Sequence, residues 1–276
     1  MRKILALILA MALVFSLSAC SKDAEKDDVA ENDTVAEDTV KSNVLRVGVD
    51  DTYPPMEFRN ESNELIGFDV DFAKALATEL GMEIEFVPIA WDGIFLGLGA
   101  DKYDCIISST SITTERMENY GFSKPYLSNG QVIVVTPGNE TIKSTEDLAG
   151  KNVGVQIETT ADIAAEKQNA LTPFELTKYD TIMDTFLDLE AGRLDCVVVD
   201  YAVALEYATQ NPEGYLITTA QLTNEPIAVC MNKEDTELIE KVNTGITSLQ
   251  EAGKMKELSN TWFGDDYTSN IDEELR

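Results

Sequence analysis

Four short polar runs each follow a segment predicted as a buried β-strand. They are Asp50–Tyr53, Ser108–Ser111, Gln156–Thr160 and Asp200–Tyr201. Their carboxylates, hydroxyls, amide and aromatic rings are suited to holding a small polar molecule by hydrogen bonds and charge. In open α/β sheets ligands bind beyond the carboxyl ends of the strands. If two such sheets face each other, we expect all four runs to line one binding cleft.

The composition of the chain excludes several kinds of chemistry. Its 276 residues include no histidine, which excludes Ser-His-Asp and Cys-His catalysis and every histidine-ligated metal site. The four cysteines include no CxxC pair, so the sequence carries no zinc or redox motif. With 21 basic and 50 acidic residues, a net charge of −29, the chain should not bind nucleic acid or an anionic lipid surface. We expect no metal and no cofactor.

Alternating strands and helices are predicted to position these polar runs at the ends of strands. Leu45–Val49 is predicted as a strand, and a helix follows that is capped by Asp69 and ended by Gly81. Further predicted elements are a strand at Glu83–Val87, a helix at Asp92–Gly99, a strand at Cys105–Ile107 and a C-terminal helical stretch at Leu238–Trp262. This alternation predicts an α/β fold with a mostly parallel sheet flanked by helices.

The same pattern recurs later in the chain. The strand around Val153 repeats the strand around Val47, 106 positions away (153 minus 47), and Cys196 repeats Cys105, 91 positions away (196 minus 105). Two recurrences in the same order indicate two lobes of like topology. Because Cys105 and Cys196 would then lie in separate lobes, we expect no disulfide between them, and we expect both, with Cys230, to be buried free thiols.

The first 43 residues are predicted to be a targeting signal followed by a linker. Residues 1–19 have a basic start and an apolar run too short to span a bilayer comfortably, which is typical of a signal peptide. The run ends in Leu17-Ser18-Ala19-Cys20, which resembles a bacterial lipobox, with Cys20 as the lipid attachment site; a plain secretory signal is the alternative. Residues 20–43 are acidic and lack aromatic residues, so they are predicted to be a disordered linker. The folded body would be anchored at the extracytoplasmic face of the cell membrane.

Three longer motifs and two shorter ones carry a family resemblance. They are Asp50–Phe58, Leu65–Asp71, Ser108–Arg116, Phe122–Tyr126 and Trp262–Asp265. Together they resemble the polar amino-acid-binding proteins of ABC transporters, bacterial solute-binding protein family 3, in a lipoprotein form. The resemblance covers nearly the whole chain after residue 43.

This resemblance implies the type II periplasmic-binding fold, in which two lobes are joined by two crossover strands. The crossovers are expected near Tyr126–Gly130 and Asn224–Ala228. Lobe 1 would comprise residues 44–127 and 227–276, and lobe 2 would comprise residues 128–226.

The resemblance also implies the contacts to the α-carbon groups of a bound amino acid. Arg116 resembles the arginine that clamps the α-carboxylate, and a planar guanidinium suits that role. From the residues alone, Arg116 could instead be a helix-surface arginine behind a cap at Thr113 or Thr114. Asp200 resembles the aspartate that holds the α-ammonium; without the family it would be predicted as a turn or helix cap.

Smaller groups complete these implied contacts. Ser109 and Ser111 match positions that contact the ammonium and the carboxylate. Thr159 and Thr160 should open a helix whose backbone N–H groups form an anion site. Glu158 stands where the family often has glycine, and its carboxylate could either repel the ligand carboxylate or turn outward.

A further set of residues would recognise the ligand side chain. Tyr53 and Trp91 match positions that sandwich it, although each could equally be a core aromatic. Asp50 matches the position that reads it, and Gln156 faces Asp50 from the second lobe. Two π faces beside a carboxylate favour a cation, so arginine or lysine is favoured, then glutamine or histidine, with cystine open. Glu57 is expected to be structural.

We interpret the chain as a monomeric binding lipoprotein that delivers a free amino acid to an ABC permease and its ATPase and performs no catalysis. One alternative is a cyclohexadienyl-dehydratase-like enzyme on the same fold, for which Asp50, Glu158 and Asp200 are the tempting proton donors. Another is a ligand-sensing domain, which would ordinarily be joined to a transmembrane helix and a signalling domain.

Overall fold

A computed structural model describes residues 43–275, which form two five-stranded sheets and one small three-stranded sheet. The strands are β1 Val44–Val49, β2 Thr52–Tyr53, β3 Glu57–Arg59, β4 Leu65–Ile66, β5 Glu83–Pro88, β6 Cys105–Ile106, β7 Tyr120–Phe122, β8 Gln131–Val135, β9 Asn152–Gln156, β10 Glu175–Tyr179, β11 Cys196–Asp200, β12 Leu216–Gln221 and β13 Cys230–Asn232. The helices are α1 Phe68–Glu79, α2 Trp91–Gly99, α3 Thr114–Asn119, α4 Thr160–Leu171, α5 Ile182–Glu190, α6 Tyr201–Gln210, α7 Thr236–Glu251 and α8 Lys254–Phe263, with a 3-10 helix at Thr145–Leu148.

The predicted signal peptide, the lipid site Cys20 and all but the last residue of the predicted linker lie outside the described residues. Within residues 43–275, no helix has the length and apolar character that a bilayer crossing requires.

The two large sheets share one arrangement of strands. The order is β5-β1-β6-β13-β7 in the first sheet and β10-β9-β11-β8-β12 in the second. In each sheet the first three strands are parallel, and the fourth strand, β13 or β8, is antiparallel to both neighbours. All the other strands of each sheet therefore run in one direction, and the predicted α/β class with mostly parallel sheets is confirmed.

The recurrences in the sequence mark equivalent positions in the two sheets. Val47 of β1 pairs with Cys105 of β6, and Val153 of β9 pairs with Cys196 of β11. Both cysteines and Cys230 are buried free thiols, which confirms that prediction. Since Cys105 and Cys196 lie in different sheets, their predicted separation is also confirmed.

The chain passes twice between the sheets, after β7 and after β12, through two segments that lie side by side. The Tyr126 N–H donates to the Ile227 carbonyl at 2.9 Å, the Ile227 N–H donates to the Leu127 carbonyl at 3.0 Å, and the Glu225 N–H donates to the Asn129 carbonyl at 3.1 Å. These bonds lie in the segments predicted as crossovers. The predicted lobe limits, 44–127 with 227–276 and 128–226, divide the chain here and stay a prediction.

The prediction that Asp69 caps the first helix is wrong. Helix α1 begins at Phe68, and its N-cap is Gly67 at φ 139°. A side chain at Gly67 would collide with the Met56 carbonyl, so only glycine fits this entry. Asp69 is instead fully buried within the first turn of the helix.

The C-terminal helical stretch is divided into α7 and α8. The break is at Gly253, whose φ of 74° is in the left-handed region that glycine adopts without strain. Helix α7 and helix α8 both pack against α1, which places the C-terminal segment on the first sheet's side.

Candidate ligand-binding site

A small cavity lies where the carboxyl ends of strands from both sheets meet. Its wall is formed by Asp50, Tyr53, Glu57, Trp91, Ser108, Ser109, Arg116, Gln131, Gln156, Thr159, Thr160 and Asp200. The structure therefore brings together every predicted contact residue except Ser111.

Arg116 provides the positive charge of the cavity wall. It lies on the short helix α3, where its N–H donates to the Thr113 hydroxyl at 3.1 Å, so Thr113 is the N-cap. Its guanidinium carbon is 5.5 Å from the Trp91 ring centre and 4.9 Å from the Phe95 ring centre, and Nη1 donates to the Ser111 carbonyl at 3.0 Å. Only 9% of Arg116 is exposed, so the helix-surface alternative is wrong. Burial lowers the pKa of this guanidinium, which nevertheless stays charged at neutral pH.

Ser111 lies behind the wall and not on it. Its carbonyl holds Arg116, and its hydroxyl is 3.4 Å from the Thr160 hydroxyl. Ser111 is therefore placed to orient Arg116 and the start of α4. The structure does not place it as a direct contact of a molecule in the cavity.

Asp200 ends β11 and is held by a set of uncharged donors. Its Oδ1 accepts from Asn129 Nδ2 and from Gln131 Nε2, both at 2.6 Å. Its Oδ2 accepts from the Tyr53 hydroxyl at 2.8 Å and from the Ser109 hydroxyl at 3.5 Å. Burial raises the pKa of Asp200 to about 6, and the hydrogen bonds oppose that rise. At neutral pH it is a buried carboxylate with a fixed orientation.

Asp50 directly follows β1, Gln156 is the last residue of β9, and their side chains meet. Gln156 Nε2 donates to Asp50 Oδ2 at 2.9 Å, and the Thr52 hydroxyl donates to Asp50 Oδ1 at 2.6 Å. The Asp50 N–H donates to the Ser108 hydroxyl at 3.0 Å. Burial raises the pKa of Asp50, and the bonds from Thr52 and Gln156 oppose that rise.

Glu57 contributes a further acid to the wall, in addition to the structural role expected of it. Its Oε1 accepts from the Ser108 hydroxyl at 2.7 Å. Burial raises the pKa of Glu57 well above its usual range, and the charge of Asp69 raises it further. Burial also raises the pKa of Asp69, to about 6. Burial and the charge of Asp69 both favour the protonated form of Glu57, so that the pair shares a single negative charge.

Among residues 43–275, no cluster of three or more acidic or cysteine side chains is arranged to hold a metal ion.

The backbone accommodates glutamate at position 158 in a glycine-like conformation. Glu158 has a φ of 59°, its side chain is exposed, and it is not part of the cavity wall. Its carbonyl accepts from Trp91 Nε1 at 3.0 Å, and its N–H donates to Asp162 Oδ2 at 3.0 Å. Of the two alternatives for this carboxylate, the structure supports the outward one. Helix α4 begins at Thr160 with Thr159 as its N-cap, as predicted.

Ser108 and Gln131 are the wall residues to which the sequence assigned no role. Ser108 belongs to the polar run after β6, so the strand-end rule had already selected its position. Gln131 is the first residue of β8, directly after Gly130 and before the fully buried run Val132–Val135. A lone polar residue at the start of an apolar strand, next to a predicted crossover, was the available signal.

Comparison with known proteins agrees with this geometry. Residues 45–265 match the family described as bacterial extracellular solute-binding proteins, family 3. The L-cystine-binding protein TcyJ of Escherichia coli (strain K12) is 35% identical over 225 residues, which cover 81% of this chain and 84% of that protein.

Two solved structures are similar over most of the chain. An ancestral arginine-binding protein bound to arginine is 41% identical, with a TM-score of 0.77, over 80% of this chain and 99% of that one. The ancestral amino acid-binding protein AncCDT-1, a precursor of cyclohexadienyl dehydratase, is 36% identical, with a TM-score of 0.76, over 80% of this chain and 96% of that one. The predicted type II periplasmic-binding fold is thereby confirmed.

Proposed function

The chain belongs to family 3 of the bacterial extracellular solute-binding proteins, and from that premise we propose that it captures one free polar amino acid and presents it to an ABC importer. The observation that carries the proposal is a single cavity whose wall includes Arg116, Asp200 and Asp50. An α-amino acid offers one carboxylate and one ammonium, and Arg116 and Asp200 are their charge complements. The printed names of TcyJ and of the ancestral arginine-binding protein support this ligand class.

In this proposal the wall residues divide the ligand between them. Arg116 binds the α-carboxylate through two guanidinium N–H groups, assisted by the backbone N–H groups at the start of α4, at Thr160. Asp200 takes the α-ammonium. Tyr53 and Trp91 flank the ligand side chain, whose end reaches Asp50 and Gln156.

The charge of the wall favours a ligand with a cationic side chain. In this proposal Arg116 and Asp200 are balanced by the two charges on the α-carbon, and the raised pKa of Glu57 favours its neutral form, so Asp50 remains as the buried carboxylate of the wall without a counter-charge. A buried charge is costly unless it is paired. Arginine or lysine would supply the missing charge, whereas glutamine and cystine would not. We therefore propose arginine or lysine, ahead of glutamine and histidine.

We propose that the protein performs no catalysis. Of the acids that the sequence singled out as proton donors to a cyclohexadienyl substrate, Glu158 is exposed and off the wall, while Asp50 and Asp200 are engaged by hydrogen-bond donors. Glu57, the further acid on the wall, is bound by the Ser108 hydroxyl. Incubation with a cyclohexadienyl acid such as prephenate should yield no aromatic product. Turnover that is lost in Asp200→Asn would support the enzymatic alternative.

We also propose that the protein is a monomeric lipoprotein on the extracytoplasmic side of the membrane. The lipid on Cys20 would be its membrane anchor once the signal peptide is removed, so Cys20→Ser should release the protein from the membrane fraction. If the variant stays in the membrane fraction as an uncleaved precursor, the lipobox interpretation is wrong.

A thermal-shift screen over the amino acids and cystine tests the proposed function. A ligand that binds only the folded state raises stability by mass action, by about 2.7 kcal/mol at a hundredfold excess over Kd. We expect the largest shift with arginine or lysine, its loss in Arg116→Ala, and its retention in Arg193→Ala, a control in which the arginine is exposed and ion-paired to Asp188. The proposal fails if no amino acid shifts the parent protein.

A further inference from the structure

We propose that the side-chain oxygen of Gln131 accepts a hydrogen bond from the ligand's α-ammonium, so that Gln131 and Asp200 bind that group together. This role rests on the proposed function, because it adds a contact inside the same cavity. It makes Gln131 a ligand-binding residue and not only a support for Asp200.

Strand pairing fixes the position of Gln131. It lies opposite Asp200 in the antiparallel register of β8 and β11. Its Nε2 donates to Asp200 Oδ1 at 2.6 Å and to the Thr160 hydroxyl at 3.1 Å. The side chain is on the cavity wall and only 1% of the residue is exposed. Within residues 43–275, its buried Oε1 has no hydrogen-bond partner.

The neighbours of Gln131 settle which end of its amide carries the oxygen. If the amide were turned over, Oε1 would face Asp200 Oδ1 at 2.6 Å, and two acceptors would meet without a proton between them. The nitrogen therefore stays on Asp200 and Thr160, and both of its protons are used. The oxygen is left as a buried acceptor in a wall that we assign to a cationic group, and a buried acceptor of this kind is normally paired.

The capacity of Asp200 shows why the ammonium needs a second acceptor. A carboxylate offers about four lone-pair sites. Asn129, Gln131 and Tyr53 already donate to Asp200 at 2.8 Å or less. One site remains, which the Ser109 hydroxyl approaches only at 3.5 Å, whereas an ammonium has three N–H donors. The Gln131 oxygen belongs to the same amide that donates to Asp200, and in this proposal it is the second acceptor.

Asn129 is a matched control for the supporting role. Its Nδ2 donates to the same Asp200 Oδ1 at the same 2.6 Å, and it is equally a buried amide, with 6% exposed. Asn129 is not part of the cavity wall. Asn129→Leu therefore removes one support of Asp200, while Gln131→Met removes the same kind of support together with the proposed ligand contact.

The experiment is isothermal titration of the parent protein, Gln131→Met and Asn129→Leu with two probes. The probes are L-arginine and 5-guanidinopentanoic acid, which is arginine without its α-amino group. Hydrogen bonds to a charged group contribute enough that Gln131→Met should weaken L-arginine about ten- to a hundredfold. Asn129→Leu should weaken it several-fold less. For 5-guanidinopentanoic acid the two variants should bind alike, because the group that Gln131 contacts is missing.

The outcomes separate this inference from the proposed function. If the parent protein binds L-arginine and Gln131→Met loses no more affinity than Asn129→Leu, Gln131 only supports Asp200 and the inference is overturned. The same conclusion follows if Gln131→Met loses as much affinity for the deaminated probe. If the parent protein binds none of the amino acids, the proposed function itself has failed. Thermal unfolding checks that each variant is folded, and Gln131→Asn, which withdraws the amide by one methylene, replaces Gln131→Met if that variant does not fold.

Discussion

The first and second sheets place the ends of equivalent strands against each other. Val47 and Val153 occupy the same position in β1 and β9. Three residues further along the chain stand Asp50 and Gln156, which are also 106 positions apart, and their side chains are hydrogen-bonded at 2.9 Å. Equivalent positions of the internal repeat therefore contact each other at the cavity.

The third strands repeat this relationship. Cys105 and Cys196 are equivalent in β6 and β11. Four residues beyond each of them stand Ser109 and Asp200, 91 positions apart, whose side chains meet at 3.5 Å.

The difference between the two sheets lies in the charge at these strand ends. In each facing pair one member is a carboxylate and the other is neutral: Asp50 meets an amide, and Asp200 meets a hydroxyl. Two carboxylates in facing positions would repel each other in a buried site. The two sheets therefore share one strand arrangement but carry different polar groups at their strand ends. Substitutions within the strands should mainly change stability, and substitutions at the strand ends should mainly change ligand binding.

The largest effect expected on the stability of the ligand-free protein concerns pH, through one carboxyl on each side of the cavity. Burial raises the pKa of Asp69 and of Asp200 to about 6, above the usual 3.8. Between these values the folded state binds more protons than the unfolded state, so this contribution to stability is present at low pH and is lost as pH rises through about 6. Urea unfolding of the ligand-free protein should show roughly 3 kcal/mol more stability at pH 5 than at pH 8 from both groups together.

Single variants divide this pH effect between the two sides. Asp69→Asn and Asp200→Asn should each remove about half of it. A free energy of unfolding that is flat or falls from pH 8 to pH 5 would contradict the assignment.

A smaller effect should distinguish the two scaffold glycines. An alanine Cβ at Gly48 would lie 2.5 Å from the Tyr103 ring, whose hydroxyl is tied to the Ile94 carbonyl. At Gly154 the obstacle is one terminal methyl of Leu194, which can rotate away. Gly48→Ala should therefore cost about 1–3 kcal/mol of unfolding free energy, and Gly154→Ala less than about 1 kcal/mol. Equal losses in chemical denaturation would show that the two packing sites are equally rigid.

The facing pair Asp50 and Gln156 should set ligand preference. Asp50→Asn removes the charge that we assign to a cationic side chain while leaving a polar group of the same size. Arginine affinity should fall about tenfold, or about 1.4 kcal/mol, and glutamine affinity should change much less. Titration with both amino acids decides, and a parallel loss for both would mean that Asp50 supports the site without reading the side chain.

The smallest effect concerns backbone strain beside the cavity. Glu158 and Ser109 both have left-handed backbone, with φ of 59° and 47°. Glycine relieves such strain, so Glu158→Gly should raise the free energy of unfolding by about 0.5–1 kcal/mol without loss of ligand affinity. Ser109→Gly should relieve strain too but weaken binding, because Ser109 is on the wall. Loss of affinity in Glu158→Gly would place its side chain at the ligand after all.

Local pattern and internal repetition were enough to predict the scaffold and most of the wall. The recurrence of Val47 and Cys105 at Val153 and Cys196 is a property of short segments, and the strand-end rule follows from chain direction alone. The resemblance added Arg116 and Trp91, which no strand end selects.

The remaining features depend on contacts distant in sequence. Gln131 becomes a wall residue because β8 pairs with β11, and the chain between them gives no local sign of that pairing. The neutral state of Glu57 depends on burial beside Asp69, which spacing does not encode. The N-cap at Gly67 was missed because aspartate is a common N-cap residue, which favoured Asp69. The collision that demands glycine comes from the distant Met56 carbonyl.

The central claim is that the two sides of the cavity hold different charges of one amino acid. Titration of the parent protein, Arg116→Ala and Asp200→Asn with arginine, agmatine and 5-guanidinopentanoic acid tests it most directly, since agmatine lacks the α-carboxylate and the last probe lacks the α-ammonium. Breaking a buried ion pair costs about 3–5 kcal/mol, so Arg116→Ala should lose roughly two to three and a half decades of arginine affinity and little for agmatine. Arg116→Lys should recover only part of that loss. Asp200→Asn should lose affinity for arginine and for agmatine, which both carry the ammonium. It should bind the deaminated probe almost as the parent protein does. Arginine binding by Arg116→Ala within about threefold of the parent would contradict the claim.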